Sequence, residues 1–369
     1  MRRADPSLIT VNRRTSHTIF VALVVGAIAL LSLGTRPAET QETSAQPLYK
    51  VQDLGTLVGG SWSQAVGINA TDKVVGGSST SDGFAHAFLY KSGKMRDLGT
   101  FGGSQSFASD INDADKVVGF AEVVGSADPS DTNNYARAFL YKGGKMSDLG
   151  TLGGDQAFAV GINNTDKVVG DSYTSGNGDI HAFLYSGGKM RDLGTLGGSG
   201  SNATDINEAD KVVGSSTVSL SDNDNEHAFL YSGGVMRDLG TLGGSRSAAK
   251  GINNAGKVVG FSLMSDATAH AFLYSDGQMR DLGTLGGSDS NALDINATDK
   301  VVGGSSTSDG NFHAFLYSDG VMRDLNNLIP ANSGWTLTSA EAINGNGSIV
   351  GYGSNPDGLQ HAFLLRPSS

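Results

Sequence analysis

The chain has 369 residues, 53 of them glycine, with 17% charged residues, no cysteine and a net charge of −11. Without cysteine there are no disulfides, no thiolate zinc sites and no lipid-modified cysteine, and glycine without a three-residue period excludes collagen. So acidic a chain is a poor match for nucleic acid or anionic lipid, both of which repel it.

The first element is a leader. Arg2, Arg3, Arg13 and Arg14 precede an uninterrupted apolar and small-residue run, "IFVALVVGAIALLSLG", over 19–34. A basic segment followed by an apolar one reads as a signal peptide over 1–34, with an uncleaved anchor as the alternative. Either way the arginines stay in the cytoplasm and the remainder is exported to an extracellular or cell-surface location. Residues 35–47 read as a polar spacer, and 48–369 as one repeat domain. Membrane contact is expected only through the leader, if it stays attached.

From residue 49 onward four short pieces recur: "AxxIN", "KVVG", "HAFLY" and "MRDLG". Ile-Asn places Asn at 69, 112, 163, 207, 253, 296 and 344, and Asp-Leu places Asp at 53, 97, 148, 192, 238, 281 and 324. Each piece is β-branched or aromatic and is bounded by Gly, Asn, Asp or Ser, which marks strands. Four strands in about 45 residues is the size of a propeller blade. The repeat opens on a fourth piece, "YKVQDLG" at 49–55, and closes on a third, "HAFLL" at 361–365. That offset predicts an all-β, seven-bladed β-propeller with four strands per blade, closed by the N-terminal strand completing the last blade. "AxxIN" is then innermost. The "NNTDK" and "SGGK" turns share one face, and the "GTLGGS" links share the other with the variable segments before "HAF".

With "DLGTLGG", "INxxxKVVG" and "HAFLY" assembled, the chain resembles the HAF-repeat family of extracellular bacterial proteins over about residues 51–365. The resemblance implies export and a repeat domain, and it brings no activity.

The histidines of the repeat are His86, His181, His227, His270, His313 and His361, with Arg137 at the same place in the second unit. Spread one per blade, they cannot converge on a metal. A structural bond in each blade is expected instead, from the imidazole to backbone or to the Asp of "DLG". Those aspartates are Asp97, Asp148, Asp192, Asp238, Asp281 and Asp324. Arg137 keeps a donor that could face its carboxylate.

Asp72, Asp115, Asp166, Asp210 and Asp299 invite a calcium reading. Gly256 and Gly347 occupy the same position, however, which favours turn geometry. "SDNDNE" offers Asp222, Asp224 and Glu226 as the best calcium candidate, against a solvated acidic loop, and it lacks the glycine of an EF-hand. "GTLGGS" has no Lys-Ser/Thr after it and reads as a linker, not a phosphate loop.

Neither G-x-S-x-G nor H-E-x-x-H occurs, so no catalytic residue and no cofactor is assigned. Carboxylates converging across blades remain open to this reading, as do Trp62 and Trp335 at the closure seam, for sugar stacking or for filling the seam. Lys250 and Glu341 are the main departures on inner strands. The expectation is a monomeric, non-enzymatic binding or scaffolding module for glycan or protein, acting through the variable-loop face. A polysaccharide hydrolase or lyase and a purely structural surface repeat are the alternatives.

Overall fold

The computed structural model describes residues 48–124, 134–219 and 225–368. The leader and spacer expected over 1–34 and 35–47 lie outside the described residues, as do Asp222 and Asp224.

Seven four-stranded antiparallel sheets succeed one another along the chain. Blade 1 is Ser63–Ile68, Val74–Ser79, Ala85–Lys91 and Lys94–Asp97, paired in that order from the axis outward. Blades 2 to 6 repeat the pattern over residues 106–148, 153–192, 201–238, 247–281 and 286–324. Blade 7 takes Thr336–Ile343, Ile349–Ser354 and Gln360–Pro367, and its outer strand is Tyr49–Asp53, with Val51 opposite Leu365. The architecture is therefore an all-β, seven-bladed propeller closed by its first strand. Among the described residues, helix is confined to one 3-10 turn, Leu325–Asn327.

Each blade is too thin to bury its own faces, so the cores lie between blades. Val75 and Ala87 of blade 1 pack with Ala108, Ile111, Val117 and Phe139 of blade 2, and the same grouping recurs around the ring. The seven phenylalanines of the repeat, Phe88, Phe139, Phe183, Phe229, Phe272, Phe315 and Phe363, are fully buried. At roughly 2–3 kcal/mol for each buried aromatic, they are a principal source of blade-to-blade cohesion.

Every inner strand carries a β-bulge near its end, as between Ala65 and Gly67 or between Ala108 and Asp110. The bulge brings the inner strand close to the glycine of "KVVG". A Cβ on Gly76 would lie 1.9 Å from the carbonyl oxygen of Gln64, which accounts for the glycine at this position.

A closed ring of amides ties the inner strands together. Asn69 Nδ2 donates to the Asn112 carbonyl at 3.2 Å, and the relay continues through Asn163, Asn207, Asn253, Asn296 and Asn344. Asn344 returns it to the Asn69 carbonyl at 3.0 Å. The Oδ1 of each Asn accepts the N–H four residues on, as from Lys73 at 3.1 Å. Both ends of every amide are thus used, one for its own turn and one for the next blade.

Candidate functional site

In the third strands the expected His–Asp bond is present in six blades. Nδ1 of His86, His181, His227, His270 and His313 lies 2.7–2.9 Å from Asp97, Asp192, Asp238, Asp281 and Asp324 respectively. His361 meets Asp53 of the closing strand at 2.9 Å. The other carboxylate oxygen anchors the link, as where Gly99 N–H donates to Asp97 Oδ1 at 2.7 Å. The pair therefore fastens the third strand to the start of the passage into the next blade. His227→Ala should cost about 1 kcal/mol of stability, read as a lowered urea midpoint; an unchanged midpoint would show that the bond does not hold the blade.

Arg137 departs from the expectation. Among the described residues no bond joins it to Asp148, and its Nε is buried without a hydrogen-bond partner. Asp148 still holds the Gly150 N–H at 2.7 Å. The first nitrogen of arginine stands one carbon farther from Cβ than imidazole Nδ1, so the guanidinium overshoots a carboxylate placed for histidine.

The turn aspartates serve geometry first. Asp72, Asp115, Asp166, Asp210 and Asp299 have φ between 58° and 67°, and Gly256 and Gly347 have 82° and 81°. They also receive the lysine of the preceding blade, as Lys73–Asp115 at 2.5 Å and Lys257–Asp299 at 2.6 Å. Ser348 replaces that lysine in blade 7, and Arg366 takes over, with Nε 2.7 Å from Asp72.

Of the calcium candidate only Glu226 is described. Its oxygens accept from Ser215 Oγ at 2.6 Å and Arg246 Nη2 at 2.9 Å, so it is committed within the protein. Among the described residues no group of three or more His, Asp or Glu side chains is placed to hold a metal ion.

The central channel holds charges that depart from the repeat consensus. The register turns the N–H of the isoleucine before each ring asparagine toward the axis, away from the second strand. Three aspartates cap these groups in pairs. Asp110 accepts from Ile111 at 2.7 Å and from Ile162 of blade 3 at 2.9 Å. Asp205 accepts from Ile206 and Ile252 at 2.7 and 2.8 Å, and Asp294 from Ile295 and Ile343 at the same distances. Blades 2, 4 and 6 thus carry a carboxylate where blades 1, 3, 5 and 7 have Gly67, Gly161, Gly251 and Ala342. The small residues make room. A Cβ on Gly67 would stand 3.1 Å from the Asp110 Cα, and one on Gly161 3.2 Å from the Asp205 Cα.

Water can reach these carboxylates along the channel, yet protein walls them in, and the walls dominate their titration. Burial, with a smaller push from Asp294, drives Asp110 up to about 6. Burial raises Asp205 well above the usual range, and the charges of Asp294 and Asp110 add to it. Asp294 is raised by burial as well.

Lys250 and Glu341 occupy the bulges of blades 5 and 7. Burial lowers the lysine, relieved in part by the charges of Glu226 and then Glu341, and raises the glutamate, relieved in part by its bond from Ser339 and then by Lys250. Among the described residues they do not close to an ion pair. Glu341 accepts from Ser339 Oγ at 2.6 Å. The signal for the aspartate trio was present in "SDIN", "TDIN" and "LDIN" against "VGIN" and "KGIN".

On the variable-loop face, exposed apolar side chains gather on consecutive blades. Phe312, Leu359, Phe84 and Val124 belong to blades 6, 7, 1 and 2. Val58, 94% exposed, is an extra residue in the link into blade 1, where the links into blades 2 to 6 run "GTLGG" or "GTFGG". Two residues before the repeat histidine, blades 7, 1 and 2 have Leu359, Phe84 and Tyr135, whereas blades 3 to 6 have Asp179, Asn225, Thr268 and Asn311. One arc of this face is apolar and the other polar.

No described protein family matches the chain, and no curated protein matches it by sequence. Several solved structures are similar in fold. A gluconolactonase from Xanthomonas campestris is 12% identical, with 89% of this chain and 94% of that one covered and a TM-score of 0.43. The WD40 β-propeller domain of Doa1 is 14% identical over 85% of this chain and 96% of its own, with a TM-score of 0.41. The Aleuria aurantia lectin, solved with a fucosylated sugar, is 10% identical over 87% and 95%, with a TM-score of 0.40. Likenesses this distant say nothing about what the chain binds.

Proposed function

We propose that the chain is an exported binding module that engages a glycan or a protein through its variable-loop face. The basic and apolar leader and the HAF-repeat likeness support export. The observation that carries the binding role is the division of labour among polar groups. Repeated side chains are consumed by the ring: asparagine by asparagine, six of the seven third-strand donors by aspartate, turn aspartates by lysine or arginine. Outside the channel, the segments that vary most in length and sequence lie on one face, where Val58, Phe84, Phe312 and Leu359 are exposed. Exposed apolar side chains on successive blades of one face are what an interaction site offers.

The test passes the chain over immobilised polysaccharides and over extracellular protein fractions, scoring retention and newly formed sugar ends. Retention without cleavage is expected, and Val58→Asp combined with Phe84→Asp should weaken it roughly tenfold or more without changing the thermal midpoint. Retention on nothing would leave a purely structural repeat.

A second reading, a polysaccharide hydrolase or lyase, is favoured by one observation. Asp110, Asp205, Asp294 and Glu341 line the channel with raised proton affinity, which suits acid–base work. Against it, both oxygens of each axial aspartate already hold backbone N–H groups. Cleavage abolished by Glu341→Gln would establish this second reading.

A further inference from the structure

The repeat is most altered around blade 7. The passage into it runs from Asp324 to Thr336, against Asp97 to Ser106 for an ordinary link, and it contains the 3-10 turn. It is wired in place: Leu337 N–H donates to Asn326 Oδ1 at 2.7 Å, and Asn326 Nδ2 donates back to the Leu337 carbonyl at 3.0 Å. Between this passage, the closing strand Tyr49–Asp53 and the Asn355–Asp357 loop lies an open groove of about 630 Å³. That volume falls within the usual range for small-molecule sites.

Trp335 lines the groove, and its orientation is fixed from below. The indole meets the fully buried Phe363 edge to face, with ring centroids 6.2 Å apart. Around it stand Lys50, Asp53, Asn332, Asn355 and Asp357. Asp53 and Asn355 are held together, with Asn355 Nδ2 3.3 Å from Asp53 and 3.2 Å from His361 Nδ1, a network not repeated among the described residues of the other blades. The Asp357 N–H is taken by Asn355 Oδ1 at 3.0 Å, while its side chain stands in solvent. A fixed aromatic plate ringed by amides, carboxylates and one ammonium is the chemistry that recognises a sugar ring. The C–H face of the sugar stacks on the indole, and its hydroxyls bond to the polar rim.

We propose that this groove is a saccharide-binding subsite that takes a neutral pyranose, stacked on Trp335, with hydroxyls bonded by Asp357, Asn332 and Lys50. Neutrality follows from charge. Two carboxylates against one ammonium face the groove and the chain carries −11, so uronates and sulfated sugars are disfavoured. A glucose-type ring with equatorial substituents offers the flat C–H face that the indole needs. The assignment rests on the binding role proposed above and names its ligand class.

The chain has two tryptophans, so a Trp62→Phe background makes emission report Trp335 alone. In that background, titration with cellohexaose or mannohexaose is expected to shift the emission saturably, whereas polygalacturonate leaves it unchanged. Asp357→Ala, an exposed substitution, should weaken the titration about tenfold while the thermal midpoint stays put. An emission shift caused by polygalacturonate alone overturns the neutral assignment, and an Asp357→Ala titration equal to its parent overturns the rim assignment. Retention on a polysaccharide with Trp335 silent overturns the groove and leaves the binding face standing. Silence of Trp335 together with retention on neither glycan nor protein overturns both.

Discussion

Thermal unfolding of the chain is expected to move to higher temperature as pH falls from 8 to 5, against the usual behaviour of paired carboxylates. The axial aspartates bind protons more tightly folded than unfolded, because burial and mutual repulsion oppose their charge. A raised folded pKa contributes stability that is complete below the unfolded value and is lost as pH rises through the folded one. For Asp110 the window runs from 3.8 to about 6. Two pKa units correspond to about 3 kcal/mol, an upper bound where channel water relieves part of the charge. Glu341 is raised too and adds in the same direction. Lys250 is lowered from 10.5, so its contribution has the opposite sign and rises with pH up to the unfolded value.

Below pH 4 the trend should reverse. Asp82, Asp266 and Asp309 are held low by hydrogen bonds from Thr80, Thr268 and Thr307. Asp115 is held low by Lys73 against its own burial. These groups lose their stabilising share as they protonate. Calorimetry at pH 8, 6, 5, 4 and 3 reads the curve, and a midpoint that falls steadily from pH 8 to 5 would refute the account. Asp110→Ala should remove part of the gain and expose the Ile111 and Ile162 N–H groups it now covers.

The amide ring supports the largest single-residue effect. Asn163→Asp changes one atom in size by almost nothing and reverses its role. Nδ2 now donates to the Asn207 carbonyl at 3.2 Å and to Asp210 at 3.2 Å. A carboxylate oxygen there would confront a carbonyl and a second carboxylate in a buried site. The other end, which takes Thr165 and Lys167 N–H at 3.1 Å each, would be kept. Losing two donors and adding an uncompensated charge should cost about 3–5 kcal/mol, because a buried charge without its partner is dearer than a lost neutral bond. Urea unfolding should show the midpoint falling with the slope unchanged. Thr165→Ala, which removes one hydroxyl bond at 2.8 Å, should cost about 1 kcal/mol and calibrates the scale.

Much of the ring could be read in letters. Closure by Tyr49–Asp53 followed from two unmatched pieces, and the His–Asp bonds from two positions that recur together in each unit. The asparagine count was equally visible, but its role was not. Its partner lies a whole blade away in sequence, and the last link joins Asn344 to Asn69. Arg137 shows the limit of reasoning by donor count, since reach decides whether a donor arrives. The axial aspartates were hidden differently. They differ from the consensus in alternate units, and averaging over a period erases what alternates. The bulge also hides them, because one extra residue breaks the two-residue rhythm by which faces are assigned. Trp335 stood out by composition, whereas its neighbours in the groove come from three separate stretches that only the closed ring brings together.

The axial alternation has an arithmetical consequence. A ring coloured in two colours closes without fault only if its members are even in number. Here there are seven, so one edge must join like to like, and it lies between Ala342 of blade 7 and Gly67 of blade 1. Neither residue can offer Ile68 a carboxylate. Six blades are three dimers of an acid and a space, interchangeable in principle. Blade 7 is mated to blade 6 through Asp294 and Ile343, so the blade left without a mate is blade 1. The fault therefore falls where the ring closes, beside the longest passage, the extra network around His361 and the groove at Trp335 on blade 7.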